Sequence, residues 1–474
     1  MDFPSADFIF ICALCFVCFA GLETITHIFK PAVPSAYRLS VMTVVYGLAV
    51  VFIATQFFAH VLPDFRPYPY ADDWIYALPL KFSTVSEWIE WAFAQHVDHR
   101  IPIQKLSNYL LLRATGFDFR YIVALNYLLA SATATMLLYV AKAYRGSLNA
   151  GDLMIPLALL SFGTGYSLWG FQFQFVSSIF FMALFVFLGI RFARSGRTSY
   201  LNYAALSLIA CTLCGMNGVL FATCSTIATL GWLFAKRPAG TTRAVVLFML
   251  ALLVELVIWK TWKPSAASGT DLNLQLVVRY MYSLIPSSMI VFSFQHISWK
   301  FLVVSGLFIA SMGICLRRLI SRTLTIEDFL LVLGATCSFV VMLSVAFGRS
   351  KAQGQWNSVI GMHYGMLSIF MPALSWIVVS KFLSPRVSAA VGVLLAGVFL
   401  ASFIANSDWR FSVINSSTSH QNEIVAAMKS GMTPDALADK YFPDFNWLND
   451  PTHRASVTDG IKAFRAAGAT MYGQ

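Results

Sequence analysis

Charge is what this 474-residue chain has least of. Only 12% of its residues are Asp, Glu, Lys or Arg, against 58% hydrophobic. That is too little charge to coat a water-soluble globule, and enough apolar sequence for many spans of ~20 residues. A soluble enzyme or binding module is excluded, and a polytopic helical membrane protein is expected. Paired cysteines are lacking too: all eight cysteines fall inside apolar runs, which argues against a disulfide framework. Cys211 and Cys214 form a CxxC, but without a second pair or His ligands at zinc spacing they read as small buried hydrophobes. The first apolar run, about 8–28, has neither a basic leader nor a small-residue cleavage site, so a retained span is expected. No internal repeat of the transporter kind is visible.

What charge there is has a clear distribution. The formal net charge of +11 would suit nucleic acid, but most Lys and Arg lie in short connections between apolar runs, where they orient a membrane protein; no nucleic-acid partner is expected. The chain reads as about twelve spans. They fall near 7–29, 41–62 and 121–141, then in a hairpin over 153–190 broken at Gly163, Gly165 and Gly170, and in a second over 200–235 broken at Gly215 and Gly218. Further spans are expected at 244–259, before Arg317 and Arg318, and at 326–347, 360–380 and 387–405. With the connections bearing Lys30, Lys142, Arg194, Arg237, Arg318 and Lys381 on the cytoplasmic side, segments 63–120, 260–300 and 348–360 and the tail share the outer side. The expected fold class is all-α: a transmembrane bundle over 1–405 with outer-face loop helices, and a small soluble cap over 406–474. Cap helices are expected at Ser417–Met432, at Thr433–Tyr441 behind a Thr-Pro-Asp start, and at about Val457–Ala467.

The longest polar interruption, 63–120, gathers acids, imidazoles and a guanidinium at the membrane surface. Adjacent carboxylates Asp72 and Asp73 sit between Pro69 and Trp74. Partly desolvated, two such groups do not both ionise at low cost, so one is expected to be raised in pKa and to act as acid or base. The alternative is that Asp72 caps the helix beginning near Trp74, with Asp73 in its first turn. His96, His99 and Arg100 fall at helical spacings of three and four, which predicts one helix face able to grip a phosphate. The alternative for this stretch is an interfacial amphipathic helix with Trp88, Trp91 and Phe93 among the headgroups. His96, His99 and Asp98 or Asp72 are legal metal ligands, but no accompanying motif is present and neither a metal nor another cofactor is expected; a divalent cation is the alternative.

Two further constellations lie on the same side. The stretch FGRSKAQGQWNSVIGMHYG carries Arg349, Lys351, His363 and Tyr364, suited to a lipid phosphate or to snorkelling at a helix end. WGFQFQF offers Trp169, Gln172 and Gln174 to sugar hydroxyls or to an interface belt. Glu23 and Glu255, inside apolar runs, are expected near helix ends or hydrogen-bonded between helices.

ADDW outside an early span, HVDHRIPIQKL downstream, WGFQFQF in a middle hairpin and the GR, G, HY order of 348–364 together resemble bacterial multi-spanning GT-C glycosyltransferases over most of the membrane portion. The resemblance implies a polyprenyl-phosphate-linked sugar donor, a cell-envelope glycan or glycolipid acceptor such as lipopolysaccharide, and inverting transfer on the periplasmic face of the bacterial cytoplasmic membrane. It implies an acidic base in the first outer loop, Asp72 first and Asp73 second. It further implies Arg349 for the donor phosphate, with His99 and Arg100 in support. Two departures stand out: an extra apolar run precedes the catalytic loop, and His363 occupies a position where these enzymes often have Arg. The competing expectation is a lipid-linked glycan flippase, which calls for charges at the membrane midplane and broken helices in both halves. Here the charges crowd one surface. A membrane acyltransferase calls for a lone His within a span, and none is seen.

Overall fold

A computed structural model describes residues 35–162, 169–263, 273–289, 297–350, 364–446 and 451–473. Within them every regular element is helical. Nine of the described helices are long and apolar enough to cross a membrane. They are α1 (Ser35–Gln56), α4 (Arg120–Arg145), α6 (Phe173–Ser195), α8 (Met216–Lys236), α9 (Thr242–Thr261), α11 (Ile297–Ile320), α12 (Ile326–Ser350), α13 (Phe370–Phe382), which spans only together with the 3-10 turn before it as Gly365–Phe382, and the long α14 (Pro385–Lys429). The expected run at 7–29 lies outside the described residues. Shorter helices fill the connections: α2 (Val85–Phe93), α3 (Pro102–Ala114), α5 (Met154–Leu159), α7 (Ser199–Thr212) and α10 (Leu274–Leu284), with α15 (Pro434–Phe445) and α16 (Pro451–Ala466) in the tail.

The bundle is held by a large apolar core in which α6 and α13 are nearly surrounded by other helices, while α9 and α11 turn most of their surface outward. Exposed Val246, Leu253, Leu302 and Ile309 on those two helices form the apolar exterior of a membrane bundle, where lipid replaces water. Glu255 is buried and accepts a hydrogen bond from Thr226 Oγ1 at 2.8 Å, joining α9 to α8 as expected for an acid within a span.

Two expected elements come out differently. The first arm of the 153–190 hairpin is not a span: α5 has six residues, all buried. The Leu160 C-cap has already left helical geometry, so α5 ends after less than two turns. The tail does not begin as a separate unit at 406 either, because α14 continues unbroken from the last span to Lys429. No proline interrupts it beyond Pro385, and it stops before Gly431, whose φ of +84° suits only a residue without a side chain. By contrast, the break at Gly215, φ +104°, separates α7 from α8 where the sequence placed it.

The basic connections meet at one end of the bundle. Arg145 pairs with Asp152 and donates to Ser380 Oγ at 2.6 Å. Arg318 pairs with Asp328 at 2.8 Å and Arg194 with Glu327 at 2.6 Å, and Lys381 stands 3.7 Å over the Tyr144 ring. The opposite end is a second, strongly aromatic core shared by segment 63–120 and the tail. Trp74 lies edge-on to Phe445 and donates its indole N–H to the Phe445 carbonyl at 3.0 Å, while Phe464 packs on Phe117 and Phe119. A Cβ on Gly460 would overlap the Trp74 ring, so only glycine lets α16 approach this closely. The Thr470 N–H donates to the Gly116 carbonyl at 2.9 Å. The tail is therefore seated on segment 63–120. As predicted, Thr433 opens α15, its Oγ1 accepting from the Ala436 N–H at 3.3 Å.

Candidate functional site

Residues from five segments converge beneath the cap. Chain direction changes sharply at Ala71, which adopts φ +51°, a strained value for a residue with a side chain. The 3-10 segment Ala71–Lys81 then begins, with both carboxylates in its first turn. Asp73 is 3% exposed, and one of its oxygens, Oδ2, accepts from the Tyr70 N–H at 3.2 Å and from the Trp169 indole at 3.1 Å. Asp73, and not Asp72, is thus the residue that ties down the helix start, because position three of the segment is the one that reaches back to its N-terminus. Its other oxygen, Oδ1, has no hydrogen-bond partner among the described residues. Burial pushes the Asp73 carboxyl up to about 8, against the opposing pull of the Tyr70 N–H and of the Arg66 charge; the Asp72 charge adds to the rise. Asp72 is more open to solvent. Its side chain is 37% exposed and stands 3.2 Å from His96 Nε2.

His96 and His99 are not on a helix. Helix α2 ends at Phe93, the chain becomes extended at Ala94, and α3 does not begin until Pro102. Between them, His96 and His99 exchange backbone hydrogen bonds of 2.7 and 2.8 Å across a tight turn, with Val97 at φ +49°. The turn, and not helical periodicity, brings the two imidazoles to one place. His96 packs on Phe171, which stacks on Trp169. His99 Nδ1 accepts from the Met216 N–H at the start of α8, at 3.3 Å, and its ring meets Phe175 edge-on. Phe175 in turn meets Tyr364, so the first residue after segment 351–363 joins the same cluster.

Arg100 is committed elsewhere. Its guanidinium donates to the Phe93 carbonyl at 3.1 Å and to the Thr261 carbonyl at 2.8 Å, closing the end of α2 onto the end of α9. Gln95 and Lys263 exchange hydrogen bonds beside it, and the Trp262 indole donates to the Asp98 carbonyl at 2.9 Å. The phosphate-gripping face expected of His96, His99 and Arg100 is therefore replaced by a pinned turn. Trp88 and Trp91 also turn inward, packing with Phe82 and Tyr109, and leave Val85, Ile89 and Phe93 as the exposed apolar row of α2.

Gln172 is buried in the turn that opens α6, and its Oε1 is unpartnered among the described residues, as is Oε1 of Gln174. Arg349 lies in the last turn of α12, its side chain outside the described part. Lys351 and His363 lie outside the described residues. Cys211 and Cys214 are buried and direct their thiols at backbone carbonyls.

Four contributors were given no role from the sequence. Gln104 on α3 accepts from the Gln174 N–H at 2.8 Å and, with Asn108, donates to the Tyr76 hydroxyl, locking the loop to the start of α6. Lys105 is buried and donates to the Trp91 and Ala94 carbonyls at 2.6 and 2.7 Å. Burial, and next the Arg100 charge, lower its ammonium to about 8. Arg66 lies 4.1 Å over the Tyr70 ring, beside Asp73. The spacing of these residues within α3 and before the strained turn carries no motif, since each works through a partner distant in sequence.

Chemically, the cluster combines a half-exposed carboxylate paired with an imidazole, a buried carboxyl pushed toward neutrality, cationic charge from Arg66, and aromatic and amide groups suited to a sugar. Comparisons with protein-family models, with curated proteins and with solved structures found no match.

Proposed function

We propose that the chain is a GT-C-like membrane glycosyltransferase of about twelve spans. It moves a sugar from a polyprenyl-phosphate donor to a cell-envelope glycan or lipid acceptor at the periplasmic face of the bacterial cytoplasmic membrane. The observation that carries the reading is the pairing of Asp72 with His96 at 3.2 Å, next to the buried Asp73, at the end of the bundle opposite the basic connections. Asp72 is the base: it is accessible to an acceptor hydroxyl, with the His96 imidazole within ion-pair distance though not hydrogen-bonded to it. Asp73 is the positioning residue, holding the strained entry of the segment through Tyr70 and Trp169. Inverting transfer needs one base on the acceptor and stabilisation of the departing phosphate, and no resident cofactor. Arg349 remains the candidate from sequence for that phosphate, with Gln172 and Tyr364 lining the approach.

The competing reading, export of a lipid-linked glycan, would draw on charges along a path through the bundle; the buried acid Glu255 is engaged by Thr226 instead. Mass spectrometry of surface glycans from cells with and without the protein separates the two. Loss of one sugar supports transfer. Loss of a whole chain, with its precursor accumulating inside, would overturn it in favour of export.

A further inference from the structure

Directly beside the carboxylates is a pair of cationic side chains, Arg66 and Arg410, of which Arg410 has no role in the proposed sugar transfer. Arg410 projects from α14 about five residues beyond the apolar part of its span, which at 1.5 Å per residue is above the membrane boundary. It is 6% exposed, and its Nε has no hydrogen-bond partner among the described residues. Its guanidinium lies 5.9 Å from the centre of the Phe65 ring. Arg66, from the loop after α1, lies at the same 5.9 Å from that ring and at 4.1 Å from the Tyr70 ring. Both guanidinium groups thus lie within reach of the Phe65 ring, and the Arg66 charge acts unfavourably on Arg410 through space. Asp64 is the one carboxylate that acts favourably on Arg410 through space, and no ion pair forms between them among the described residues. Burying a guanidinium without a paired anion is costly, and two facing one ring compound the cost. All the other buried arginine contacts at the opposite end, such as Arg145 with Asp152, place the charge on a carboxylate. Arginine forks match the oxygens of a phosphate group, which offers two or more acceptors to two guanidinium groups at once.

We propose that Arg66 and Arg410, set against Phe65, form a binding site for a phosphate group carried on a lipid at the outer membrane surface. Tyr70 links this site to Asp73: Arg66 stacks on the Tyr70 ring, and the Tyr70 N–H donates to Asp73 Oδ2. A phosphate there sits alongside the carboxylate pair with its chain directed toward the bilayer, at the height where α14 leaves the membrane. The site stands whether or not the carboxylates carry out sugar transfer.

The test is binding of farnesyl phosphate, farnesol and inorganic phosphate to the full chain in nanodiscs, for the unaltered protein, Arg66→Gln and Arg410→Gln. The expected result is that farnesyl phosphate binds, farnesol does not compete, and each substitution weakens binding about tenfold or more, as loss of a charge-assisted hydrogen bond does. Tighter binding of farnesyl phosphate than of inorganic phosphate identifies the lipid as the source; equal binding of both contradicts the lipid assignment. Arg454→Gln, on the exposed face of the cap, should leave binding unchanged. Because Arg410→Gln removes a buried side chain, a second measurement uses the unaltered protein. Modification of Arg66 by phenylglyoxal, located by peptide mass, should slow severalfold when farnesyl phosphate is present. Binding unaffected by either substitution, or an unchanged rate of modification, overturns the proposal.

Discussion

The two ends of the bundle handle buried charge in opposite ways. At the basic end three arginines meet carboxylates: Arg145 with Asp152, Arg318 with Asp328, Arg194 with Glu327. At the other end Asp73 accepts two neutral N–H groups and has no cation in pairing distance among the described residues, and Arg410 has an unpartnered Nε. Paired charges fix helices, because each cation there already has its carboxylate. Unpaired buried groups are a cost that a protein retains where a ligand or a proton completes them. The difference separates the end that staples the bundle from the end where buried polar groups are left open to a ligand or a proton.

Substitutions that exchange the roles of the two ends give the sharpest contrast. Asp72→Asn should lower sugar transfer by about 10²–10⁴, the usual worth of a general base, while leaving thermal denaturation in place; an unchanged rate per folded molecule would move the base elsewhere. Asp152→Ala should do the reverse. It strands Arg145, itself 6% exposed, and should cost about 3–5 kcal/mol in a chemical denaturation series, with transfer per folded molecule retained. Equal stability would mean that the basic end is less tightly stapled than its geometry indicates.

The pH dependence discriminates next. The folded Asp73 carboxyl titrates near 8, above its ordinary range, so the unfolded chain releases that proton first. Stability contributed by the protonated form is complete below about pH 4 and is lost as pH rises through about 8. Relative to Asp73→Asn, the unaltered protein should therefore weaken steadily over that window. Parallel stability curves for the two proteins would show that Asp73 is not held protonated. The smallest effect is at Val97. A β-branched residue at φ +49° is strained, and Asn tolerates that region, so Val97→Asn should raise stability by about 1 kcal/mol. A loss of stability would mean that the exposed valine side chain contributes more than its backbone strain costs.

The same contrast explains what could be read in the sequence. Hydropathy and the placement of Lys and Arg are properties of long stretches, so the helical class, the shared side of the basic connections and the break at Gly215 were legible. That one of 72–73 would be raised in pKa was legible because adjacent carboxylates in an apolar setting are a local oddity. Their different surroundings were not, because these depend on Trp169, nearly a hundred residues away, reaching Asp73 and leaving Asp72 to His96. Helical spacing misled at His96–Arg100. Periodicity assumes a helix, and two backbone hydrogen bonds across a four-residue turn satisfied those groups instead. Arg410 was hidden for a related reason: α14 passes through the expected boundary at 405 without a break, and only its packing shows an arginine left without an anion.

The most direct test of the account is turnover by the purified protein in proteoliposomes supplied with a polyprenyl-phosphate sugar labelled in the sugar and a lipid-linked acceptor. The account predicts that label moves to the acceptor with release of one prenyl phosphate per sugar, and that Asp72→Asn abolishes the movement. Label that remains on its prenyl carrier while crossing the bilayer would contradict it.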